Sequence, residues 1–388
     1  MIWKVVFIVW ISALYFILRK AWLRADIVLM FSIPSHIRSV LEKAIHAPSG
    51  ENCQPWRFEI GADDTIHVFN IPERDSSLYS WGQRASYFAH GALLENIRIA
   101  AEGSGFKTEL ELLPDPRNGS YVARVRLAAA QSVLEARSLA PFILERATNR
   151  KPYTVSELSA VGEETLVNEA ELYAPAKIYF LKDRVSIRAL SAAASVNERV
   201  LFENKKLHDF FYDHITWTRE EDERKRLGFY IKTFELPLPA ERMFQLCKNY
   251  TYARVLRAVG LPRFIARQNA SVYASCAAVG VITIPSLASE EFIRAGMLFE
   301  RIWLRAARET LSIQPLAGMI YLALRIFARE ASDFSLSQQK QIQEAYSTVR
   351  RIAGNKNAYI PMMFRIGKSD PPSARALRLV PDITMRNF

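Results

Sequence analysis

The chain is poor in cysteine and histidine. Its 388 residues contain three cysteines, Cys53, Cys247 and Cys276, and six histidines. Three distant cysteines cannot form a disulfide framework or a zinc knuckle, and they are typical of a reducing compartment. The histidines show no metal-ligand spacing such as His-x-x-x-His. We therefore expect no disulfide framework and no metal site.

Motifs for dinucleotide binding and for nucleic-acid binding are also missing. No Gly-x-Gly-x-x-Gly follows a predicted strand, which excludes a Rossmann dinucleotide site. No zinc-finger or RNA-binding signature is present, and the basic residues are scattered, which argues against a nucleic-acid partner. The net charge is nevertheless +11, and it indicates an anionic ligand or membrane surface. No catalytic dyad is recognisable, so we name no catalytic residue.

The N-terminal segment is more apolar than the rest of the chain. Ile2–Leu18 is apolar except for Lys4 and Ser12, and Arg19, Lys20 and Arg24 follow. The run is just long enough for a bilayer, and the basic cluster after it would keep the body cytoplasmic. We expect residues 1–29 to contain a single-pass anchor on the cytoplasmic face. The alternatives are a buried or amphipathic helix, and a start site placed too far upstream of Met30 in an otherwise cytoplasmic protein.

A turn between a helix and a strand is the most informative stretch. Ala47–Trp56 reads Ala-Pro-Ser-Gly-Glu-Asn-Cys-Gln-Pro-Trp. Apolar residues at helical spacing precede it, Pro48 stops that helix, and Phe58 and Ile60 then alternate with charged residues as in a half-buried strand. The turn therefore presents three hydrogen-bonding side chains, Ser49, Asn52 and Gln54. They suit a planar, polar-edged ligand, although a helix-capping turn without a ligand fits the same pattern.

The rest of residues 30–140 indicates a compact α+β unit. Gly61–Asp64 predicts a hairpin between strands at Arg57–Ile60 and Thr65–Ile71. A helix follows over Ser86–Ala101, and two more strands are predicted at Lys107–Leu113 and Tyr121–Leu127.

A second unit is predicted to begin near Pro141. Its opening basic segment, Arg146–Lys151, suits a phosphate, because guanidinium groups and a hydroxyl bind phosphate oxygens well, although such segments are commonly solvated loops. Farther on, Leu311–Gly318 follows a predicted buried helix. Met362–Gly367 predicts a strand, with Arg375 and Arg378 close behind it.

These segments resemble the signature of the nitroreductase family of flavin enzymes. The signature itself runs from Arg38 to Phe58, and the resemblance as a whole covers about Met30 to Leu379. It implies that the turn lies over FMN, with Pro48, Ser49 and Asn52 at the flavin and Gln54 as support. It also implies that Arg146, Thr148 and Arg150, together with Arg375 and Arg378, hold the FMN phosphate. Leu316, Ala317 and Gly318 would lie against the reactive edge of the flavin ring.

The turn occurs only in the first half and the phosphate segment only in the second. The chain is therefore similar to the fused, single-chain Acg-like branch of the family. That branch implies two pseudo-repeated α+β halves, 30–140 and 141–388, each with a mainly antiparallel sheet flanked by helices. The fused pair would share one FMN site and behave as a monomer or weak dimer.

An extra stretch at 201–269 is our candidate for a lid over the flavin. The alternatives are additional packing helices, or a second membrane contact through Arg254, Arg257, Arg263 and Arg267.

The resemblance implies an FMN-dependent oxidoreductase. It would pass hydride or electrons from NAD(P)H through the flavin to a small electron-poor acceptor of the nitroaromatic or quinone class, since a flavin supplies the redox chemistry itself. One alternative is a storage protein that sequesters FMN beneath a closed lid, with little turnover. Two others are a membrane-tethered interaction protein that has lost its flavin site, and an enzyme that oxidises a peptide- or metabolite-derived ring.

Two substitutions test whether one site is built from both halves. Arg146→Ala and Asn52→Ala should each weaken FMN binding, the first by roughly 1.5–3 kcal/mol, because a charge-assisted phosphate contact is lost. Flavin titration monitored by fluorescence measures this. Undiminished FMN affinity in either variant would contradict a shared site.

Overall fold

A computed structural model of the chain describes residues 33–156, 158, 160–354 and 357–386. The apolar run Ile2–Leu18 lies outside these residues, so the membrane anchor stays a prediction. Among the helices that are described, none combines the length and the apolar character needed to cross a membrane.

Helices and strands are numbered here in chain order. The α-helices are α1 (Ser35–Ala44), α2 (Arg84–Gly103), α3 (Leu134–Leu139), α4 (Phe142–Glu145), α5 (Ala160–Asn168), α6 (Arg184–Ala194), α7 (Val196–Glu203), α8 (Lys205–Asp213), α9 (Arg219–Lys225), α10 (Leu238–Leu246), α11 (Tyr250–Ala258), α12 (Leu261–Ala274), α13 (Ser289–Arg308), α14 (Gly318–Phe327) and α15 (Leu336–Ile352). The strands are β1 (Trp56–Ile60), β2 (Ile66–Asn70), β3 (Phe106–Leu112), β4 (Tyr121–Ala129), β5 (Lys177–Leu181), β6 (Ile215–Thr216), β7 (Phe229–Tyr230), β8 (Ala278–Ile284), β9 (Ser312–Pro315), β10 (Tyr359–Gly367) and β11 (Ile383–Met385).

The first sheet has the order β11-β1-β2-β4-β3. Strands β1 to β4 pair antiparallel, and β1 alternates buried and half-buried residues as its sequence predicts. The C-terminal strand β11 lies parallel to β1, with Ile383 opposite Phe58. The end of the chain therefore returns to complete the sheet of the first unit. The predicted boundary at residue 140 does not assign every strand to its own sheet, because β11 follows that boundary and still belongs to the first sheet.

The second sheet has the order β5-β8-β10-β9 and is antiparallel throughout. Its central strand β8 is buried at every residue, which explains why its sequence is continuously apolar rather than alternating. Strand β9 leads directly into the N-terminus of α14, so the sheet fixes the position of Leu316–Gly318.

Two 20-residue helices, α2 and α13, join the two units. They cross at glycines: a Cβ on Gly91 would lie 2.0 Å from the Ile293 carbonyl oxygen, and one on Gly296 would lie 1.9 Å from the Phe88 carbonyl oxygen. Side chains cannot fit there, so the two backbones are in direct contact. This crossing sets the distance between the units.

A network of buried charges lies along the same helix pair. Arg301 of α13 contacts three carboxylates, those of Glu95, Glu135 and Glu169, and Arg305 shares the last two. Arg98 of α2 pairs with Glu95 at 2.8 Å. Three arginines thus face three glutamates; Arg301, Glu95 and Glu169 are buried, while Glu135 and Arg98 are partly exposed.

The extra stretch at 201–269, called the insertion from here on, forms a small body with its own core. Leu201, Phe202, Tyr212, Ile231 and Cys247 are among its buried members, and aromatic rings of Phe211, Phe234 and Phe244 surround them. A short parallel pair, β6 and β7, lies within it.

The fold class expected from the sequence is confirmed, since the chain is a mixed α+β protein with two mainly antiparallel sheets. The hairpin of β1 and β2, the long helix α2 and strand β10 all occur where they were expected. The two sheets differ in strand number and order, so the repeat of two equivalent halves stays a prediction.

Substituting a crossing glycine tests the helix contact. Gly296→Ala should lower the free energy of unfolding by about 3 kcal/mol, because the added methyl forces α2 and α13 apart. Helix propensity alone would give the opposite sign, a gain of about 1 kcal/mol. Urea unfolding measures the change. The control is Gly50→Ala, whose methyl would meet nothing within 4 Å. Equal stability of the two variants would count against a tight crossing.

Candidate functional site

The turn after α1 has an unusual backbone. Glu51, Asn52 and Gln54 have φ values of 46°, 55° and 47°, in the left-handed region that side chains other than glycine disfavour. The Ser49 hydroxyl stabilises this conformation by accepting a hydrogen bond from the Gln54 amide at 3.0 Å. Pro48 lies half-buried at the start of the turn. Strain of this kind persists where surrounding contacts determine the backbone, and it is common at binding sites.

Two side chains of the turn, both buried, connect it to distant parts of the chain. The Asn52 amide donates to the carbonyl oxygens of Leu377 at 3.0 Å and Arg226 at 3.3 Å. Gln54 donates to the same Arg226 oxygen at 2.7 Å and accepts from the Leu379 amide at 2.9 Å. The turn is therefore held by the C-terminal segment on one side and by the insertion on the other.

A cluster of cationic side chains lies at the start of the turn. The guanidinium groups of Arg146 and Arg378 both donate to the His46 carbonyl oxygen, and Arg378 also donates to that of Ala47 at 3.3 Å. Arg146 is buried against the ring of Trp303, 4.4 Å from its centroid. Residues 232 positions apart in sequence are thus adjacent at the same backbone oxygen.

Glu300 is the carboxylate that offsets this charge. Its Oε1 lies 3.1 Å from Arg146 Nε, outside hydrogen-bond geometry. Burial and the nearby charge of Arg146 lower the pKa of Arg378 to about 9, and burial together with the two arginines lowers the pKa of His46 to about 4. His46 is therefore neutral at pH 7. Two cations face one carboxylate, and the site retains a net positive charge that suits an anion.

The other predicted arginine of the C-terminal segment, Arg375, lies at the exposed rim. Its guanidinium donates to the Leu144 carbonyl oxygen at 3.0 Å, just before the phosphate segment. Its charge also acts on Arg146. Arg146, Arg375 and Arg378 therefore converge, as one would require of a phosphate site.

Arg150 does not join them. Its guanidinium donates to the Thr233 carbonyl oxygen at 3.0 Å and lies against the rings of Phe229 and Phe234, 5.5 and 5.3 Å from their centroids. Burial lowers its pKa, and the groups that act on it electrostatically are Tyr273, Tyr153, Glu235 and Arg365, none of which belongs to the cluster at His46. Thr148 makes a β-bridge with Ile313, so the segment follows strand β9 away from Arg146. The phosphate role expected of Arg150 is not supported by its position, which is beside the insertion.

Leu316, Ala317 and Gly318 form the junction between β9 and α14. The Leu316 amide donates to the Met363 carbonyl oxygen at 2.7 Å, which fixes the junction to the second sheet. A Cβ on Gly318 would lie 2.5 Å from the Asn197 side-chain oxygen. A larger residue at position 318 would therefore have to displace the Asn197 side chain. Asn197 Oδ1 is itself buried, without a hydrogen-bond partner among the described residues.

A polar set that the sequence did not reveal lies near the turn and the α14 N-terminus. Burial and the charge of Asp75 raise the pKa of Glu51 to about 8. Burial followed by the charges of Glu51 and Glu198 raises the pKa of Tyr79. Tyr321 of α14 is buried, and within the described part of the chain its hydroxyl has no hydrogen-bond partner. These residues share no motif or spacing, so only the fold could identify them.

A surface cavity of about 470 Å³ lies elsewhere, between the insertion and α15. Its lining includes Lys206 and Asp333, which pair with each other, and Asn204, which caps α8. Because these side chains already pair with groups of the protein, the cavity offers a ligand few free polar atoms. We therefore take the turn as the candidate site.

No protein-family model matches the chain, but sequence comparison finds related proteins. The chain is 21% identical over 342 residues to "Uncharacterized protein MT1398" of Mycobacterium tuberculosis, covering 88% of this chain and 47% of that protein. It is 33% identical over 120 residues to "Putative NAD(P)H nitroreductase acg" of the same species, covering 30% of this chain and 35% of that one. The chain thus spans about half or less of these relatives. The resemblance to nitroreductases, and to the Acg-like branch, is confirmed.

Solved structures give a weaker likeness. The FMN-dependent nitroreductase NfnB of Mycobacterium smegmatis, determined with NADPH, is 12% identical with a TM-score of 0.36, covering 63% of this chain and 95% of its own. A nitroreductase of Desulfitobacterium hafniense with bound FMN is 10% identical with a TM-score of 0.32, covering 63% of this chain and 94% of its own.

The protonation of Glu300 gives a test of the cationic cluster. Burial raises its pKa from 4.5 to about 7, so the folded protein holds a proton that the unfolded chain releases. The stability that this proton confers is complete below pH 4.5 and is lost as the pH rises through about 7. Glu300→Gln should abolish that loss, which we expect to be roughly 2–3 kcal/mol between pH 5 and 8.

Urea unfolding of both proteins at each pH measures the difference, and contributions from groups such as Glu51 cancel in the comparison. Glu344→Gln, at an exposed position of α15, is the matched control. Parallel pH profiles for Glu300→Gln and the unsubstituted protein would contradict a buried, titrating Glu300.

Proposed function

We propose that this chain binds one FMN and catalyses the reduction of a small electron-poor acceptor, of the nitroaromatic or quinone class, by NAD(P)H. The observation that carries the proposal is the convergence at the turn: Arg146 and Arg378, from segments far apart in sequence, donate to the same His46 carbonyl oxygen. The buried Arg146 and the half-buried Arg378 repel each other when both are held at one oxygen. A phosphate bound between them would relieve that repulsion.

The cationic cluster suits the phosphate end of FMN. Arg378 Nε is buried and lacks a partner in the described part of the chain, and Glu300 offsets only one of the two buried charges. A phosphate accepts several charge-assisted hydrogen bonds at once, and guanidinium groups provide them with matching geometry. Arg375 at the rim would add attraction for an arriving anion.

The ring end would lie between the turn and the N-terminus of α14. Asn52 Oδ1, Asn197 Oδ1 and the Tyr321 hydroxyl are buried polar atoms without partners in the described residues, and they suit the N–H and C=O edges of a flavin ring. Bound FMN would supply hydride transfer. The chain would orient the ring through these groups and exclude water with the insertion, and the single site would be built from both predicted halves.

A second candidate function is FMN storage with little turnover. One observation favours it: the Arg226 carbonyl oxygen of the insertion accepts from both Asn52 and Gln54, while Thr233 accepts from Arg150. The insertion therefore contacts two of the segments proposed for the flavin. If it stays closed over bound FMN, neither NAD(P)H nor an acceptor reaches the ring.

The visible spectrum of the purified full chain, after incubation with FMN and removal of excess, tests the proposal. We expect a flavin spectrum with one FMN per chain, which bleaches under anaerobic NADPH or NADH. The colour should return when a quinone or nitroaromatic acceptor is added. Riboflavin, which lacks the phosphate, should bind about 10- to 150-fold more weakly, as expected for loss of one or more charge-assisted contacts.

Each outcome has a distinct meaning. Bound flavin that resists both nicotinamides would favour storage over catalysis. A chain that takes up no flavin would refute both functions. Equal affinity for riboflavin and FMN would leave a flavin protein but contradict the arginine cluster as its phosphate site.

A further inference from the structure

Helices α10, α11 and α12 carry an unusual density of exposed apolar side chains. Within the described residues, seven of the 18 large exposed hydrophobic residues fall between positions 238 and 264. They are Leu238, Met243, Leu246, Tyr252, Val255, Val259 and Phe264. Val259 and Val255 are 79% and 61% exposed, so they contribute nothing to the core as it stands. We call these seven residues the apolar face.

The inner side of the same helices explains why they fold without that face. Cys247 and Ala253 are buried, and Phe244, Leu256 and Ile265 pack against the insertion core. On α11, Tyr252, Val255 and Val259 lie three and four residues apart, which places them on one stripe. The helices thus pack one side against the insertion core and expose further apolar side chains that have no partner among the described residues.

The charge around the face is one-sided. Residues 238–274 contain six basic residues and one acid. The bases are Arg242, Lys248, Arg254, Arg257, Arg263 and Arg267, all exposed, and no carboxylate of the described residues pairs with any of them. The acid, Glu241, is already paired with Lys232 at 2.8 Å. The surface therefore carries unneutralised positive charge among aliphatic and aromatic side chains.

We propose that this surface docks on the headgroup region of an anionic lipid bilayer. Short helices with aliphatic and aromatic side chains next to arginine and lysine are the composition of interfacial membrane contacts: apolar groups enter the acyl boundary and cations bind anionic headgroups. Helices α10 and α11 have nine residues each and α12 has 14, so they would lie in the interface and not cross it.

Two other occupants fit the surface less well. A second copy related by a two-fold axis would bring the unneutralised cations of the two surfaces together, which opposes association. Nucleic acid would suit the charge, but aliphatic side chains such as Val255, Val259 and Leu246 offer it neither stacking nor hydrogen bonds. A bilayer uses both the charge and the aliphatic groups. The proposal does not depend on flavin binding or on the N-terminal apolar run.

A polarity-sensitive fluorophore on the face tests the proposal in the full chain. The three native cysteines are buried, so a thiol dye would label the exposed residue of Val255→Cys selectively. The matched control is Val185→Cys on α6, which is 79% exposed and outside the surface. Labelled protein is mixed with vesicles of phosphatidylcholine alone, or with ~30% phosphatidylserine, because cation binding requires anionic lipid.

We expect the emission at position 255 to shift to the blue with anionic vesicles only, and to return when salt is added. Position 185 should not respond. The triple variant R254E, R263E and R267E, made on the labelled chain, should weaken the response about a hundredfold or more, since each basic residue contributes to binding. The neutral triple variant R254Q, R263Q and R267Q should give a response between those of the unsubstituted and the charge-reversed chains. This ordering separates a charge effect from misfolding.

The local signal distinguishes this docking from tethering by the N-terminal segment. Vesicle cosedimentation without a shift at position 255 would overturn the proposal, as would equal shifts on neutral and anionic vesicles. A shift that grows with protein concentration in the absence of lipid would indicate a second copy instead. A shift with RNA or DNA and none with vesicles would assign the surface to nucleic acid.

Discussion

The direct backbone contact between α2 and α13 is the constraint on which the other features depend. Gly91 and Gly296 allow it, and the network of three arginines and three glutamates lies along the same helices. Buried ion pairs of this kind add little net stability compared with apolar packing, but they penalise any shift that separates a partner. The crossing therefore fixes one unit relative to the other. The turn of the first unit and Arg146 of the second can then meet at one carbonyl oxygen.

Ligand and insertion would compete for the same donors at the candidate site. Asn52 and Gln54 both donate to Arg226, and Arg150 donates to Thr233. A bound ring that used any of these groups would have to replace a backbone acceptor with one of its own, so the net gain per hydrogen bond would be small. Affinity would then come mainly from the arginine cluster, because Glu300 is the one carboxylate paired with it among the described residues and leaves positive charge over. The two ends of the site thus have different roles.

Much of the local structure could be predicted from the sequence, and the long-range contacts could not. Helical spacing before Pro48 located α1, and Gly61–Asp64 located the hairpin, because both signals are local. The return of β11 to the first sheet depends on pairing across more than 300 residues, which no local pattern encodes. The partners of Arg146 were missed for the same reason, since Glu300 looks like any polar residue of a long helix. Arg150 matched a motif position, but the bridge at Thr148 directs it elsewhere.

The left-handed backbone of the turn has a consequence for how a ligand is recognised. Glu51, Asn52 and Gln54 are held at positive φ by contacts with other parts of the protein, so the ordering of this turn belongs to folding. A ligand would meet a surface that is already preorganised and would lose little conformational entropy in the protein on binding. Glycines in these places would relax the strain and let the turn sample many shapes. The contacts that hold the backbone in this unfavourable conformation thus also make the turn rigid. A rigid turn discriminates between ligands of similar size by their shape.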